Sequence, residues 1–533
     1  MINNINIRVD RDLCYACGVC VDRCIMDNLR LSVAPCRQQC PLHMNAQGYV
    51  RLLAQGKPEE ALKEMAPYLP FIGILGRVCH HPCEAVCERT RQEGAVGIRA
   101  LKRHLADRFT DTCLLAPECA ADTGKRAVVV GSGPAGLMAA YHLRRQGHGV
   151  TVLESETEPG GCLRFAIPDF RLPVAEVERT VSFLEGMGIR FRTGTALGRD
   201  KDLEELASGS DAVVLALGAG EPIRIAPSDC APDLISSAID LLRRVKKGER
   251  PDIGKSVAVI GGGNTAVDAA LVSRRLGAKE VRIICLENPS EMPAFRQEID
   301  QAREEGILFE NCWSPMRLNK GKDGSIEIEL SRCISVYDEK GCFSPEIEPV
   351  CGLRLKADTI LSAIGFRTEA GYLPEAMRHP ESGRLAADPE ILVSPFRSGI
   401  FVCGDCFTGP ASVVDALASG QEAAVSADRF LRGEGLRWGR SFFDGSKVSC
   451  YEPGPNRAAG RPKISPQQAP LSQRGMKTEV EKTLSAEEAL EEAERCLSCG
   501  RSFESNKTCW YCLPCEIECP VHALEVRMPY LVR

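Results

Sequence analysis

Along this 533-residue chain, two compact apolar runs, RAVVV at 126–130 and SVAVI at 256–260, each lead straight into a glycine turn. Each turn is followed by a stretch of helical period, LMAAYHLRRQG and AVDAALVSRRLG. Further apolar runs follow as DAVVLALG (211–218), DTILSAIG (358–365) and GIFVCGD (399–405). Runs of strand length alternating with helical patterns predict a parallel α/β architecture. Upstream, YVRLLAQGKPEEALKEM predicts helix broken at Gly-Lys-Pro, with Val50, Leu53, Ala61, Leu62 and Met65 near one face. Residues 6–10 read as a short strand. Residues 431–484, rich in Gly, Pro, Arg and Ser, read as an extended linker wrapping the surface. Ser485-x-x-Glu488 is a capping box that opens a helix, AEEALEEAER.

Composition adds little until the cysteines are counted. The formal net charge is −6 with both signs interspersed, so nothing points to nucleic acid or a membrane surface. No apolar run reaches the roughly 20 residues of a membrane helix. The opening MINNINIRVDRD lacks the basic and apolar regions of a secretory signal, and the expected location is cytoplasmic. Twenty-seven cysteines are an outlier, and in a large cytoplasmic chain they read as metal binding.

Their spacing specifies the metal. Cys14-x2-Cys17-x2-Cys20-x3-Cys24 and Cys509-x2-Cys512-x2-Cys515-x3-Cys519-Pro520 both match the bacterial ferredoxin run. A zinc site needs no third CxxC step. In two-cluster ferredoxins the fourth cysteine of each run ligates the other cluster. One run stands at each end of this chain, so the expectation is that the termini meet. Cys14, Cys17, Cys20 and Cys519 then hold one [4Fe–4S] cluster, and Cys509, Cys512, Cys515 and Cys24 the other. The rival is that each run closes its own cluster; Ile25 replaces the usual proline after Cys24.

The glycine turns carry a second chemistry. Gly131-x-Gly133-x-x-Gly136 lies between strand and helix, and Glu154 ends the next strand. The glycines admit pyrophosphate to the backbone, the helix N-terminus stabilises its charge, and the acid accepts ribose hydroxyls. Gly261-x-Gly263-Asn264-x-Ala266 repeats the arrangement, with Glu287 as its acid. Two such units, one inside the other, predict a flavoprotein with FAD in the first and a nicotinamide nucleotide in the second.

The motifs GSGPAGL, EPGGCLRFAIPDFRLP, GGGNTAVDAA and EMPAFRQEIDQAREEGI, followed by Gly404-Asp405, resemble the glutamate synthase small-subunit family over residues 36–430. The same module is similar to the N-terminal half of dihydropyrimidine dehydrogenase and to the large subunit of NADH-dependent reduced ferredoxin:NADP oxidoreductases. The resemblance implies that Asp405 binds the flavin ribityl chain, with Gly161 nearby. NADPH-using members carry two arginines before the Met-Pro pair; Leu286 and Glu287 stand there here, which favours NADH over NADPH. The module's own cysteines are Cys36, Cys40, Cys79, Cys83 and Cys87. The RCxxCG pair that precedes them in relatives appears here at Cys496 and Cys499, so Cys36, Cys87, Cys496 and Cys499 are expected to share a cluster. Cys40, Cys79 and Cys83 would hold another, whose fourth ligand in relatives is a Gln or Glu; here Lys102 occupies that position.

The expected fold is thus α/β: two Rossmann-like dinucleotide-binding domains, one inserted in the other, plus a helical Fe–S domain and a ferredoxin-like α+β domain built from both termini. The expected divisions are 1–35, 36–123, 124–250 with 360–430 for FAD, 251–359 for the nicotinamide nucleotide, the linker 431–484, and 485–533. The expected function is an NADH-dependent iron–sulfur flavoprotein oxidoreductase with FAD and three to four [4Fe–4S] clusters. It would exchange electrons with ferredoxin or a partner redox subunit in a hetero-oligomeric complex, and flavin-based bifurcation is open to it. The alternatives are a glutamate synthase small subunit and a non-catalytic electron-wiring scaffold. No separate catalytic residue is expected, because cofactors carry the chemistry. Cys403, Cys406, Cys162 and the remaining single cysteines, such as Cys230, read as fillers or surface thiols. His80 and His81 read as shielding a cluster, and Arg171 as facing the flavin or solvent.

Overall fold

A computed structural model describes residues 6–109, 117–223, 234–380, 382–440, 451, 453–456, 458–506 and 508–527; Cys230 lies outside them. RAVVV becomes the centre of a five-stranded parallel sheet, ordered 400–402, 212–215, 126–130, 149–153, 190–192. The helix Pro134–Arg145 follows its glycine turn, with proline in the first turn. It packs against Val413–Leu431 so closely that a Cβ at Gly420 would stand 2.1 Å from the Ala135 carbonyl oxygen.

SVAVI is likewise central in a second parallel sheet, ordered 308–311, 280–285, 256–260, 359–362, 235–237. This sheet exceeds the expected 251–359 division at both ends. Ile235–Ser237 and Thr359–Ser362 belong to it because a central parallel strand needs a neighbour on each side. An antiparallel sheet of 313–320, 326–337 and 343–357, absent from the sequence reading, covers one face. Its middle strand buries Ile326, Ile328 and Leu330 against Ile260, Ile284 and Ile360, with Glu327 and Glu329 between them. That two-residue period marks a half-buried strand.

The chain ends meet. Ile7–Val9 pairs antiparallel with Leu524–Val526, and Leu29–Ser32 with Arg501–Glu504. Asn6 and Asn28 side-chain amides both donate to Glu504 Oε1, each at 3.1 Å. The helix Ala486–Glu494 begins at the reciprocal Ser485–Glu488 box and docks on the helical domain rather than standing apart. Arg495, fully buried, pairs with Glu492 at 2.6 Å and donates to the Gly94 carbonyl at 2.7 Å. Ahead of it, Glu479 accepts from Arg77 (2.8 Å) and Arg103 (2.9 Å), and Glu481 from Arg99 (2.9 Å). The segment before the helix is therefore clamped by ion pairs. Among the described residues no helix is long and apolar enough to cross a membrane.

Candidate functional site

Three cavities are each lined by four thiols from distant parts of the chain. Cys14, Cys17, Cys20 and Cys519 surround the first, Cys24, Cys509, Cys512 and Cys515 the second, and Cys36, Cys87, Cys496 and Cys499 the third. Thiols spread around a void suit a polynuclear cluster better than one zinc at about 2.3 Å from each sulfur.

The two ferredoxin runs wrap their cavities with one backbone conformation. Ala16 (φ 56°) and Gly18 (φ 95°) in the first correspond to Tyr511 (φ 57°) and Leu513 (φ 70°) in the second. Left-handed non-glycine residues cost about 1–3 kcal/mol each; the turns they make aim three thiols inward. Backbone N–H groups of Asn28 and Ala523 donate to Cys24 Sγ and Cys519 Sγ, both at 3.2 Å. Burial pushes the Cys20 thiol up to about 12 and Cys515 to about 11. These sulfurs carry charge only when a metal takes the proton's place.

Cys40, Cys79 and Cys83 form a fourth group, all buried in the core of the helical domain. His81 contributes through its backbone, whose N–H donates to Cys79 Sγ at 3.3 Å. The His80 ring stacks on Phe295 instead, with centroids 5.1 Å apart.

The two glycine loops are near duplicates. Gly131 (φ +103°) and Gly261 (φ +133°) turn tightly under the end of a neighbouring strand: a Cβ would stand 2.2 Å from the Ala216 oxygen in one and 2.4 Å from the Ala363 oxygen in the other. At Gly136 a Cβ would stand 1.9 Å from the Gly131 oxygen. Gly133 and Gly263, by contrast, face open space, with nothing within 4 Å of a Cβ, at the start of a long helix. That is the cradle a pyrophosphate needs. Buried Glu154 accepts from Ser132 N–H at 3.0 Å. Gly161 packs on this loop, a Cβ there standing 2.8 Å from Gly133 Cα.

Asp405 begins the short helix after the strand Ile400–Val402. Its Oδ1 is buried without a partner, and burial lifts its carboxyl to about 6. An orphaned buried carboxylate oxygen beside the loop fits a hydroxyl-bearing guest such as the flavin ribityl chain. In the second fold, Glu287 Oε2 lies 2.6 Å from where a Gly262 Cβ would stand, so its carboxylate overhangs the loop. Asn264 opens the helix that follows the loop. Its Oδ1 accepts from Phe295 N–H at 2.8 Å, tying the loop to the Met-Pro-Ala-Phe turn.

Arg171, half-buried, is held by two carboxylates. It ion-pairs with Asp268 at 2.6 Å and with Glu298, joining the first nucleotide fold to the second. Sequence reading missed both acids, although they sit within GNTAVDAA and FRQEID. Cys403 and Cys406 are free buried thiols, with Cys406 Sγ donating to the Cys403 carbonyl at 3.2 Å. Cys162 is exposed.

Residues 125–420 match the pyridine nucleotide-disulphide oxidoreductase family, and residues 13–113 match dihydropyrimidine dehydrogenase domain II, 4Fe-4S cluster. The NADP(+)-dependent formate dehydrogenase subunit beta of Moorella thermoacetica is 32% identical over 503 residues, covering 88% of this chain and 71% of the relative. The NADPH-Fe(3+) oxidoreductase subunit beta of Geobacter sulfurreducens is 29% identical, covering 88% and 75%. The glutamate synthase [NADPH] small chain of Escherichia coli is 32% identical, covering 73% and 87%. Paired dinucleotide folds joined to a cysteine-rich N-terminal domain, with these matches, place the chain in the pyridine nucleotide-disulphide oxidoreductase family as an iron–sulfur flavoprotein enzyme, an FAD-dependent NAD(P)H oxidoreductase.

Proposed function

We propose that the chain is the diaphorase subunit of a larger complex, exchanging electrons between NADH and ferredoxin or a partner redox subunit. The observation that carries this reading is the set of three four-thiol cavities on the same chain as two complete dinucleotide cradles. Gly131, Gly133, Gly136, Glu154, Gly161 and Asp405 hold FAD. Gly261, Gly263 and Glu287 receive the nicotinamide nucleotide, with Asn264 fixing their loop. The cavity cysteines ligate [4Fe–4S] clusters. FAD, when bound, supplies the exchange between a two-electron hydride and single electrons. The residues bind, orient and shield. Cys512, exposed among the second cavity's thiols, marks the solvent-facing end where a partner is served.

The relatives' printed names specify NADP or NADPH. This chain departs from such a site at Glu287, whose carboxylate over the loop repels a 2′-phosphate and accepts ribose hydroxyls. The same names carry "subunit" or "small chain", which supports a complex. Bifurcation by the flavin belongs to the same proposal. The test is anaerobic purification from the native host. The reading expects a redox subunit to co-purify and NADH to reduce added ferredoxin. A glutaminase–synthase partner with glutamate formation overturns it.

Asp405 gives a pH signature. Its carboxyl without flavin sits near 6, above the ordinary carboxylate value, and ribityl hydroxyls donating to the carboxylate lower it again. Binding flavin therefore releases a proton when the pH lies between the two values. The affinity of flavin-stripped protein for FAD is expected to fall as pH drops below about 6 and to be flat above it. Fluorescence titration measures this, and Asp405→Asn removes the dependence in that window.

A further inference from the structure

The fourth cysteine group has a buried cation where a ligand is expected. The helix Ile98–Arg108 is pressed onto the segment that carries Cys79 and Cys83. Arg99 N–H donates to Glu84 Oε1 at 2.9 Å, and a Cβ at Gly76 would stand 2.8 Å from Arg103 Cα. Lys102 lies between these two contacts and is 3% exposed. Those contacts set its helix against the residues adjoining Cys79 and Cys83. The neighbouring carboxylates are engaged elsewhere, Glu84 with Lys463 (2.7 Å) and Asp107 with Arg77 (2.7 Å).

A buried ammonium is tolerated only beside compensating negative charge. Three thiolates supply it, provided a metal cluster keeps them deprotonated. An ammonium has no lone pair to give to iron. We propose that Cys40, Cys79 and Cys83 hold a [4Fe–4S] cluster whose fourth iron has no ligand from the protein, with Lys102 as its buried counter-cation. This rests on the cluster-bearing reading above.

Two properties follow. The fourth iron takes a small solvent-derived ligand, water or hydroxide. It is also the iron lost on oxidation: [4Fe–4S]2+ gives [3Fe–4S]+, Fe2+ and one electron, with ferricyanide taking the electron. The ammonium also favours the reduced, more negative cluster, so this centre has a higher potential than the same cluster without it.

The test uses the full-length protein, purified anaerobically and treated with ferricyanide. EPR is expected to show one oxidised three-iron centre per chain, and ferrous iron with a reductant to reverse it. Lys102→Cys, which offers a fourth thiolate, is expected to abolish the three-iron signal while iron per chain is retained. Lys102→Met is expected to keep the signal and move the centre to lower potential. The proposal is overturned if the unaltered protein yields no three-iron signal, if the signal is as strong in Lys102→Cys, or if Cys83→Ala leaves the iron content unchanged. Flavin bleaching by NADH and the spectra of the other clusters report on the wider reading independently, so the two failures are distinguishable.

Discussion

Replacing Cys24 with alanine is expected to destroy the cluster whose other three ligands lie almost five hundred residues away. Cys24 lines a cavity with Cys509, Cys512 and Cys515, while Cys519 lines one with Cys14, Cys17 and Cys20. The pairing of Ile7–Val9 with Leu524–Val526 holds each fourth cysteine across from the opposite run. Each single variant should lose about four irons per chain, one cubane. Pairs of variants separate crossed from uncrossed ligation. With crossing, Cys14→Ala combined with Cys519→Ala loses no more iron than either alone, since both strike one cluster. Cys14→Ala combined with Cys24→Ala loses about twice as much. If each run closed its own cluster, the two pairs would behave the other way round. Iron and acid-labile sulfide analysis, with EPR of the reduced protein, reads the difference.

Replacing Glu287 with arginine is expected to reverse the nicotinamide preference. The carboxylate overhangs the second glycine loop, 2.6 Å from where a Gly262 Cβ would stand. Hydrogen bonds from ribose hydroxyls to a carboxylate contribute about 1.5–3 kcal/mol. Losing them costs NADH about tenfold to hundredfold in kcat/KM. A guanidinium in the same place offers a 2′-phosphate a comparable gain. The ratio of the two kcat/KM values should therefore move by about 100-fold or more. An unaltered protein that prefers NADPH would contradict the role given to Glu287.

The parts of this molecule that were legible in its sequence are those where chemistry restricts residue type. The two turns need Gly131 and Gly261 because a carbonyl at the end of a neighbouring strand stands within 2.4 Å of where a Cβ would be. The thiols that line the three cavities stand at fixed steps, so Cys14 to Cys24 and Cys509 to Cys519 stood out in the sequence, as did the Cys496–Cys499 pair. What was hidden is what several residue types can do equally well. The sheet from Trp313 to Ala357 alternates Ile with Glu, but its period is interrupted by bulges near Ser331 and Cys333. Ile235–Ser237 is too short to stand out as a strand. The Arg171–Asp268–Glu298 link joins three segments up to 127 residues apart, and no local pattern marks charges that meet only after folding. Asn264 stands out in the sequence by its loop position, and only the fold shows Phe295 N–H as a partner of its Oδ1.

The central claim is that one polypeptide connects a nicotinamide site to several inorganic clusters through a flavin, and reductive titration addresses it most directly. Fully oxidised protein is titrated anaerobically with NADH while flavin and cluster absorbance are followed. The expected result is uptake of more than the single NADH equivalent that a flavin alone accepts, with cluster bands bleaching alongside the flavin. Bleaching that ends at one equivalent with the clusters still oxidised, or a flavin that NADH leaves untouched, would contradict the account.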